Sequence, residues 1–292
     1  MRIATGGICG FGELIAALQC ALLLYSARLD FVGDNRMRGT WMSFRYKLIG
    51  GEILLGTMIT LPSPEMVEIM IDVGFDWLFI DCEHGAFDAS TAQSLLQAAG
   101  NRCPGVIRVP NSEDIWIKKA LDIGASGIIV PQVNSAAQAR AVVSSCKYPP
   151  AGSRGVGIGR AHGYGARFNE YVADANNQVA VIVQAEHSDA VNHIEEIVTV
   201  PGIDAVLIGP YDLSASLGKI GQLDDPELIA AIEKVRICCS NAGMQLGFFG
   251  INAEAVQPYI DQGYTLIAVG VDVLFASNAA TSTLADLNDA KN

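Results

Sequence analysis

From about residue 51 onward, apolar residues fall into short, evenly spaced runs. They are "ILLGTMIT" (53–60), "WLFID" (77–81), "GVIRVP" (105–110), "GIIVPQV" (127–133), "VAVIVQAE" (179–186), "AVLIGP" (205–210), "QLGFFG" (245–250) and "LIAVGVD" (266–272). Most carry apolar side chains at odd and even positions alike, the pattern of a strand buried on both faces. Between the runs, apolar positions recur near every 3.6 residues, as in amphipathic helices. "SPEMVEIMIDVG" opens on Ser63 as a cap with Pro64 behind it, and "DPELIAAIEKVRICCSNAG" repeats the plan from Pro226 to Gly243. "SEDIWIKKALDIG" reads as a helix capped by Ser112 and stopped by Gly124.

Eight such runs alternating with helices predict an α/β fold, a (β/α)8 TIM barrel over residues 42–292. An open doubly wound sheet would place a glycine-rich phosphate turn after its first strand, where this chain has "TLPSPE". "GVGIG" at 155–159 follows no strand and reads as irregular loop. Segment 147–177 is too long for an ordinary connection. It holds Arg154, Arg160, His162, Tyr164 and Arg167, the most basic part of the chain, and is predicted to be an active-site loop with His162 in solvent.

Composition narrows the function. Half of the 292 residues are hydrophobic and 17% are charged, enough for a large core. A net charge of −12 argues against a nucleic-acid partner, although local fields still allow an anionic substrate. The seven cysteines are scattered, with no C-x-x-C pair, and read as small buried hydrophobes of a cytoplasmic protein. Residues 8–25 are apolar but interrupted by Glu13 and Gln19, so no membrane span is expected. Residues 1–41 are read as an N-terminal extension, with Met37 and Met42 as further candidate starts.

Chemistry in such a barrel gathers at the C-terminal ends of the strands. Those ends carry Asp81, Glu83 and His84, then Arg108, Gln132, Gln184 with Glu186, Asp212, and Asp272. A charged Arg108 in an otherwise apolar strand needs a partner, either an acid of the barrel or a substrate. Glu186 and Asp212 are each placed to cap a helix. Their occurrence on neighbouring strand ends favours instead a pair of oxygen ligands for Mg²⁺ or Mn²⁺. His187 is expected at a helix start. No lysine ends a strand, which argues against Schiff-base chemistry.

The segments "GTMITLPSPEMVEIMIDVGFDWLFIDCEHG", "VIRVP", "ALDIGASGIIVPQVNSAAQA", "YPPAGSRGVG", "IGPYDLSASLG" and "AVGVD", in this order, resemble the HpcH/HpaI aldolases, class II metal-dependent pyruvate aldolases. The resemblance runs from about Met42 to the late 280s. It implies reversible cleavage of 4-hydroxy-2-oxo acids to pyruvate and an aldehyde. It implies Glu186 and Asp212 as ligands of a divalent ion (Mg²⁺, Mn²⁺ or Co²⁺) and His84 as base, supported by Asp122. Arg108 would meet the substrate's oxygens, with Gln184, Gly209 and Pro210 beside it. A homo-oligomer, a hexamer in many relatives, is implied too. The chain departs from the pattern at His187 and Tyr211, where smaller residues are usual. A citryl-CoA or malyl-CoA type lyase and a non-catalytic 2-oxo-acid binder are the alternative readings.

Overall fold

The computed structural model describes residues 43–86 and 88–289. The N-terminal extension and both candidate starts therefore lie outside the described residues. Eight parallel strands close into a barrel in sequential order. They are β1 (Leu54–Ile59), β2 (Trp77–Asp81), β3 (Gly105–Arg108), β4 (Gly127–Val130), β5 (Ala180–Ala185), β6 (Ala205–Ile208), β7 (Gln245–Gly250) and β8 (Leu266–Val271). Each lies within the expected run or departs from it by at most three residues.

The two-sided apolar pattern has a direct cause. Alternate side chains of each strand enter two separate cores. Trp77, Phe79, Val106, Ile129, Ile182, Leu207 and Leu266 fill the lumen. Leu78, Ile80, Ile107, Ile128, Val181, Val206 and Ile267 pack outward under the helices. A helix at Phe44–Ile49 adds Phe44 and Leu48 to the lumen cluster. Arg45 on that helix pairs with Asp204 at 2.8 Å, while Asp204 also accepts the Val181 amide at 2.9 Å. Gly56 is glycine because Trp77 lies across it; a Cβ there would sit 2.4 Å from the indole.

Local signals work as read. Ser63 accepts the Met66 amide at 3.1 Å with Pro64 behind it, and Gly74 ends that helix at φ 104°. The helix at Asp114–Asp122 departs in one respect: Glu113, not Ser112, stands at its cap, and no side chain bonds there. Across the closing seam, buried Asp272 accepts the Thr60 hydroxyl at 2.7 Å and the Thr60 and Leu61 amides at 3.0 and 2.8 Å. It thereby ties the first strand–helix loop to β8. No helix among the described residues is long and apolar enough to cross a membrane.

The connectivity corrects one expectation. Segment 147–177 joins the end of helix Ala136–Cys146 to the start of β5, so it lies where strands begin, opposite the strand C-termini. It is not a loop of its own chain's mouth. Lys147, Arg154 and Arg160 are consumed in anchoring. Lys147 donates to the carbonyls of Asn176 and Val179 at 2.8 and 3.0 Å. Arg160 donates to the carbonyls of Ile123 and Leu96, both at 2.9 Å. Arg154 is buried, with its guanidinium 4.5 Å from the Tyr148 ring centroid and bonded to the Tyr171 hydroxyl at 3.2 Å. His162, expected in solvent, is fully buried, stacked on Phe168 at 5.2 Å and bonded to the Tyr148 hydroxyl at 3.2 Å. The aromatic residues of helix Phe168–Gln178 make that pocket, a contact the local sequence does not announce.

Candidate active site

Parallel register sets Asp81 beside Arg108 at the ends of β2 and β3. The two side chains meet in a two-pronged ion pair, Arg108 Nε and Nη2 each 2.8 Å from an Asp81 oxygen. Both are almost fully buried, and the guanidinium sits 5.2 Å from the Phe79 ring centroid. This geometry is the strong form of a carboxylate–guanidinium contact. Asp81 Oδ1 accepts two more hydrogen bonds, from the amides of Glu83 at 3.1 Å and His84 at 3.4 Å. One carboxylate thus fixes the arginine and shapes the turn that presents Glu83 and His84. Burial pulls the Arg108 guanidinium down, but Asp81 and Glu83 outweigh it, so its net shift is upward.

Glu186 follows β5 and is almost fully buried. Its Oε1 accepts the Gln132 amide at 2.8 Å, and its Oε2 accepts Gln184 Nε2 at 2.6 Å. Gln132 reaches that position with a left-handed φ of 55°, strained for a residue with a side chain. Gly209 packs against the same carboxylate, where a Cβ would stand 3.1 Å from Glu186 Oε2. Pro210 begins the helix Pro210–Ser216, whose first turn carries Asp212. Asp212 is exposed and electrostatically coupled to both Glu83 and Glu186.

Burial is the main cause that pushes the Glu186 carboxyl up to about 7; the Gln132 amide opposes it, Glu83 and Asp212 push the same way, and Arg108 opposes it. Burial likewise raises Glu83 against the pull of Arg108 and His84. A carboxylate so short of positive charge suits a cation. Gln184 Oε1 and Glu83 Oε2 are buried with no hydrogen-bond partner among the described residues, and Glu83 Oε2 lies 3.2 Å from Arg108 Nε. An all-oxygen donor set fits a hard divalent ion that keeps several waters. No group of three or more His, Cys, Asp or Glu able to hold a metal occurs among the described residues. The site offers two carboxylates, one buried and one exposed.

Of the residues picked from sequence, Arg108, Gln184, Glu186, Gly209, Pro210 and Asp212 gather at the strand C-termini. His84 stands at the rim, its side chain 65% exposed and its Nε2 3.7 Å from Glu83 Oε2. Within one chain Asp122, expected to support His84, does not join them. It ends the helix Asp114–Asp122, at the opposite end of the barrel, where Arg154 holds its carboxylate at 2.7 Å. The helices run antiparallel to the strands, so a residue at a helix C-terminus cannot reach a strand C-terminus. His187 caps the short helix Ser188–Asn192, accepting the Asp189 amide at 3.1 Å. Sequence reading gave Asp81 no role, although an acid one strand away from a buried arginine, both at strand ends, was a usable signal. Cys103, Cys146 and Cys239 are thiols that burial pushes to about 12, too high for nucleophiles.

Comparison with known proteins shows the family. Residues 55–279 match the family described as HpcH/HpaI aldolase/citrate lyase. A hydroxypyruvate/pyruvate aldolase of Roseobacter denitrificans is 37% identical over 83% of this chain and 96% of its own length. A 4-hydroxy-2-oxo-heptane-1,7-dioate aldolase of Shigella sonnei is also 37% identical, over 83% of this chain and 94% of its own. A crystal structure of an HpcH/HpaI aldolase/citrate lyase family protein from Burkholderia cenocepacia superposes with TM-score 0.82 at 35% identity, covering 85% of this chain and all of that one.

Proposed function

We propose that this chain, which belongs to the HpcH/HpaI aldolase/citrate lyase family and is a carbon–carbon lyase, reversibly cleaves 4-hydroxy-2-oxo acids to pyruvate and an aldehyde. The observation that carries the reading is the buried Glu186 at the strand C-termini, fixed by the Gln132 amide and Gln184 Nε2, with Asp212 and Arg108 both acting on its charge. Glu186 and Asp212 would hold a divalent cation, Mg²⁺, Mn²⁺ or Co²⁺. Such an ion supplies Lewis acidity toward an adjacent oxo group and carboxylate.

The chain's own groups then have distinct tasks. Asp81 clamps Nε and Nη2 of Arg108, while Nη1 makes no hydrogen bond among the described residues and is left for the substrate's oxygens. His84 takes the C4 hydroxyl proton. The C4–O bond becomes a carbonyl, the C3–C4 bond breaks, and its electron pair passes into the 2-oxo carboxylate as an enolate. Arg108 places fixed positive charge where that negative charge grows. The proton on His84 returns to C3, giving pyruvate, so protons balance over the cycle. Gln184 orients Glu186 through its 2.6 Å bond, and Gly209 leaves room beside that carboxylate.

The test is pyruvate release from 4-hydroxy-2-oxo acids with and without a chelator. Chelation and Glu186→Ala are each expected to abolish release, and added Mg²⁺, Mn²⁺ or Co²⁺ to restore it after chelation only. Activity surviving both treatments overturns the proposal, as does turnover confined to acyl-CoA thioesters.

A further inference from the structure

We propose that the groove between helices Ala89–Ala99 and Asp114–Asp122 is a second ligand site, outside the barrel mouth, that takes a small aromatic carboxylate. Between these helices and the strands beneath them lies a cavity of about 220 Å³. Its floor is the outer side of β2 and β3: Cys82 follows Asp81 there, and Ile107 and Val109 flank Arg108. Successive strand residues face opposite sides. The strand that turns Arg108 inward therefore turns Ile107 and Val109 toward the cavity. On the helix side, Ala92 and Ala120 are buried alanines, and their small side chains leave the space open beside Trp116. An apolar cavity of roughly 150 Å³ takes up benzene, so this one has room for a ring with a short substituent. Burial, with Asp81 and Asp88 adding to it, pushes the Cys82 thiol up to about 12, as an apolar wall requires.

Two exposed charges stand at the lip, Asp88 and Lys119. Asp88 is already engaged. It caps helix Ala89–Ala99, accepting the Thr91 amide at 2.9 Å at the positive end of that helix. Lys119 is not. Its ammonium has no carboxylate partner and no hydrogen bond among the described residues, and lies 5.5 Å from the Trp116 ring centroid. The indole holds that cation at the edge of the cavity without neutralising it. An aromatic ring would enter against Trp116 and the two alanines, with its carboxylate reaching Lys119 in solvent. A cationic ligand would meet the same ammonium, with only the helix-capping Asp88 to receive it.

The experiment is a ¹⁹F NMR titration of the full chain with 4-fluorophenylacetate, 4-fluorophenylacetamide and 4-fluorobenzylamine, with and without Mg²⁺ and saturating pyruvate to fill the mouth. The carboxylate is expected to bind saturably, with Kd about 1 mM or below, more tightly than the amide or the amine and equally well in both conditions. Lys119→Met is expected to weaken the carboxylate about 3- to 5-fold and to leave the amide unchanged. Ala92→Leu and Ala120→Leu each fill the cavity and are expected to remove binding of both, with the circular dichroism spectrum retained. Lys119 is exposed, so its variant decides even where a filled cavity disturbs the fold. Binding that survives both filled cavities, an amine held as tightly as the carboxylate, an unchanged affinity in Lys119→Met, or displacement by pyruvate would overturn the proposal. If the protein cleaves no hydroxy-oxo acid, the aldolase reading fails, while the filled-cavity and Lys119 variants still decide the second site.

Discussion

Asp81→Asn is the sharpest perturbation of this site. The substitution keeps shape and removes the charge. It leaves Arg108 buried, with an amide NH₂ facing a guanidinium N–H where an oxygen stood at 2.8 Å. Removing one member of a buried ion pair typically destabilises by roughly 3–5 kcal/mol. Glu83, 3.2 Å from Arg108 Nε, remains as a partial counter-ion, so the lower end applies. For a chain of this size, a loss of about 3 kcal/mol corresponds to a fall in Tm of ~6–12 °C. Thermal unfolding followed by circular dichroism at neutral pH measures it. Arg108→Met added to Asp81→Leu should recover only part of the loss, because Oδ1 also holds the Glu83 and His84 amides. A Tm within 2 °C of the unmutated protein would show that the pair is not a buried, structure-bearing contact, and the assigned role of Asp81 would fall.

Three further outcomes are expected. Glu186→Gln and Asp212→Asn should each abolish saturable Mn²⁺ binding measured by electron paramagnetic resonance, while leaving the circular dichroism spectrum intact; undiminished binding would place the cation elsewhere. Gln132→Gly should raise stability by about 0.5–1 kcal/mol by relieving the left-handed φ of 55°, and a lower Tm would mean that its side chain holds the loop. Burial lowers the His162 pKa below its ordinary 6.5. The unfolded chain therefore binds the proton more readily, and stability should be full above pH 6.5 and fall as pH drops toward the folded-state pKa. His162→Gln should flatten that acid limb in melts run from pH 7.5 to 5, and an unaltered slope would refute the assignment.

The barrel was readable because its strands are buried on both faces, so period and length sufficed without knowledge of partners. The two acids proposed as cation ligands could be picked out for a related reason: each follows closely on an apolar run, at the end of the barrel where strands finish. What the sequence hid depends on contacts between distant segments. His162 looked exposed in a glycine-rich stretch, yet Tyr148, Phe168 and Tyr171 enclose it. Within one chain Asp122 lies away from His84, since it ends a helix while His84 follows a strand. The placing of segment 147–177 failed on direction. It follows a helix, and that order alone assigns it to the end of the barrel where strands begin.

The seam between β1 and β8 has a consequence for synthesis. Strand β1 is made first of the eight, but β8, which pairs with it, and the Asp272 that fixes Thr60 and Leu61, are made after the other six. At ordinary translation speeds the nascent chain carries that unpaired edge for about 10–40 s. Until it closes, the loop after β1 has no anchor. The enzyme's mouth therefore acquires its final wall only when the eighth strand has been made.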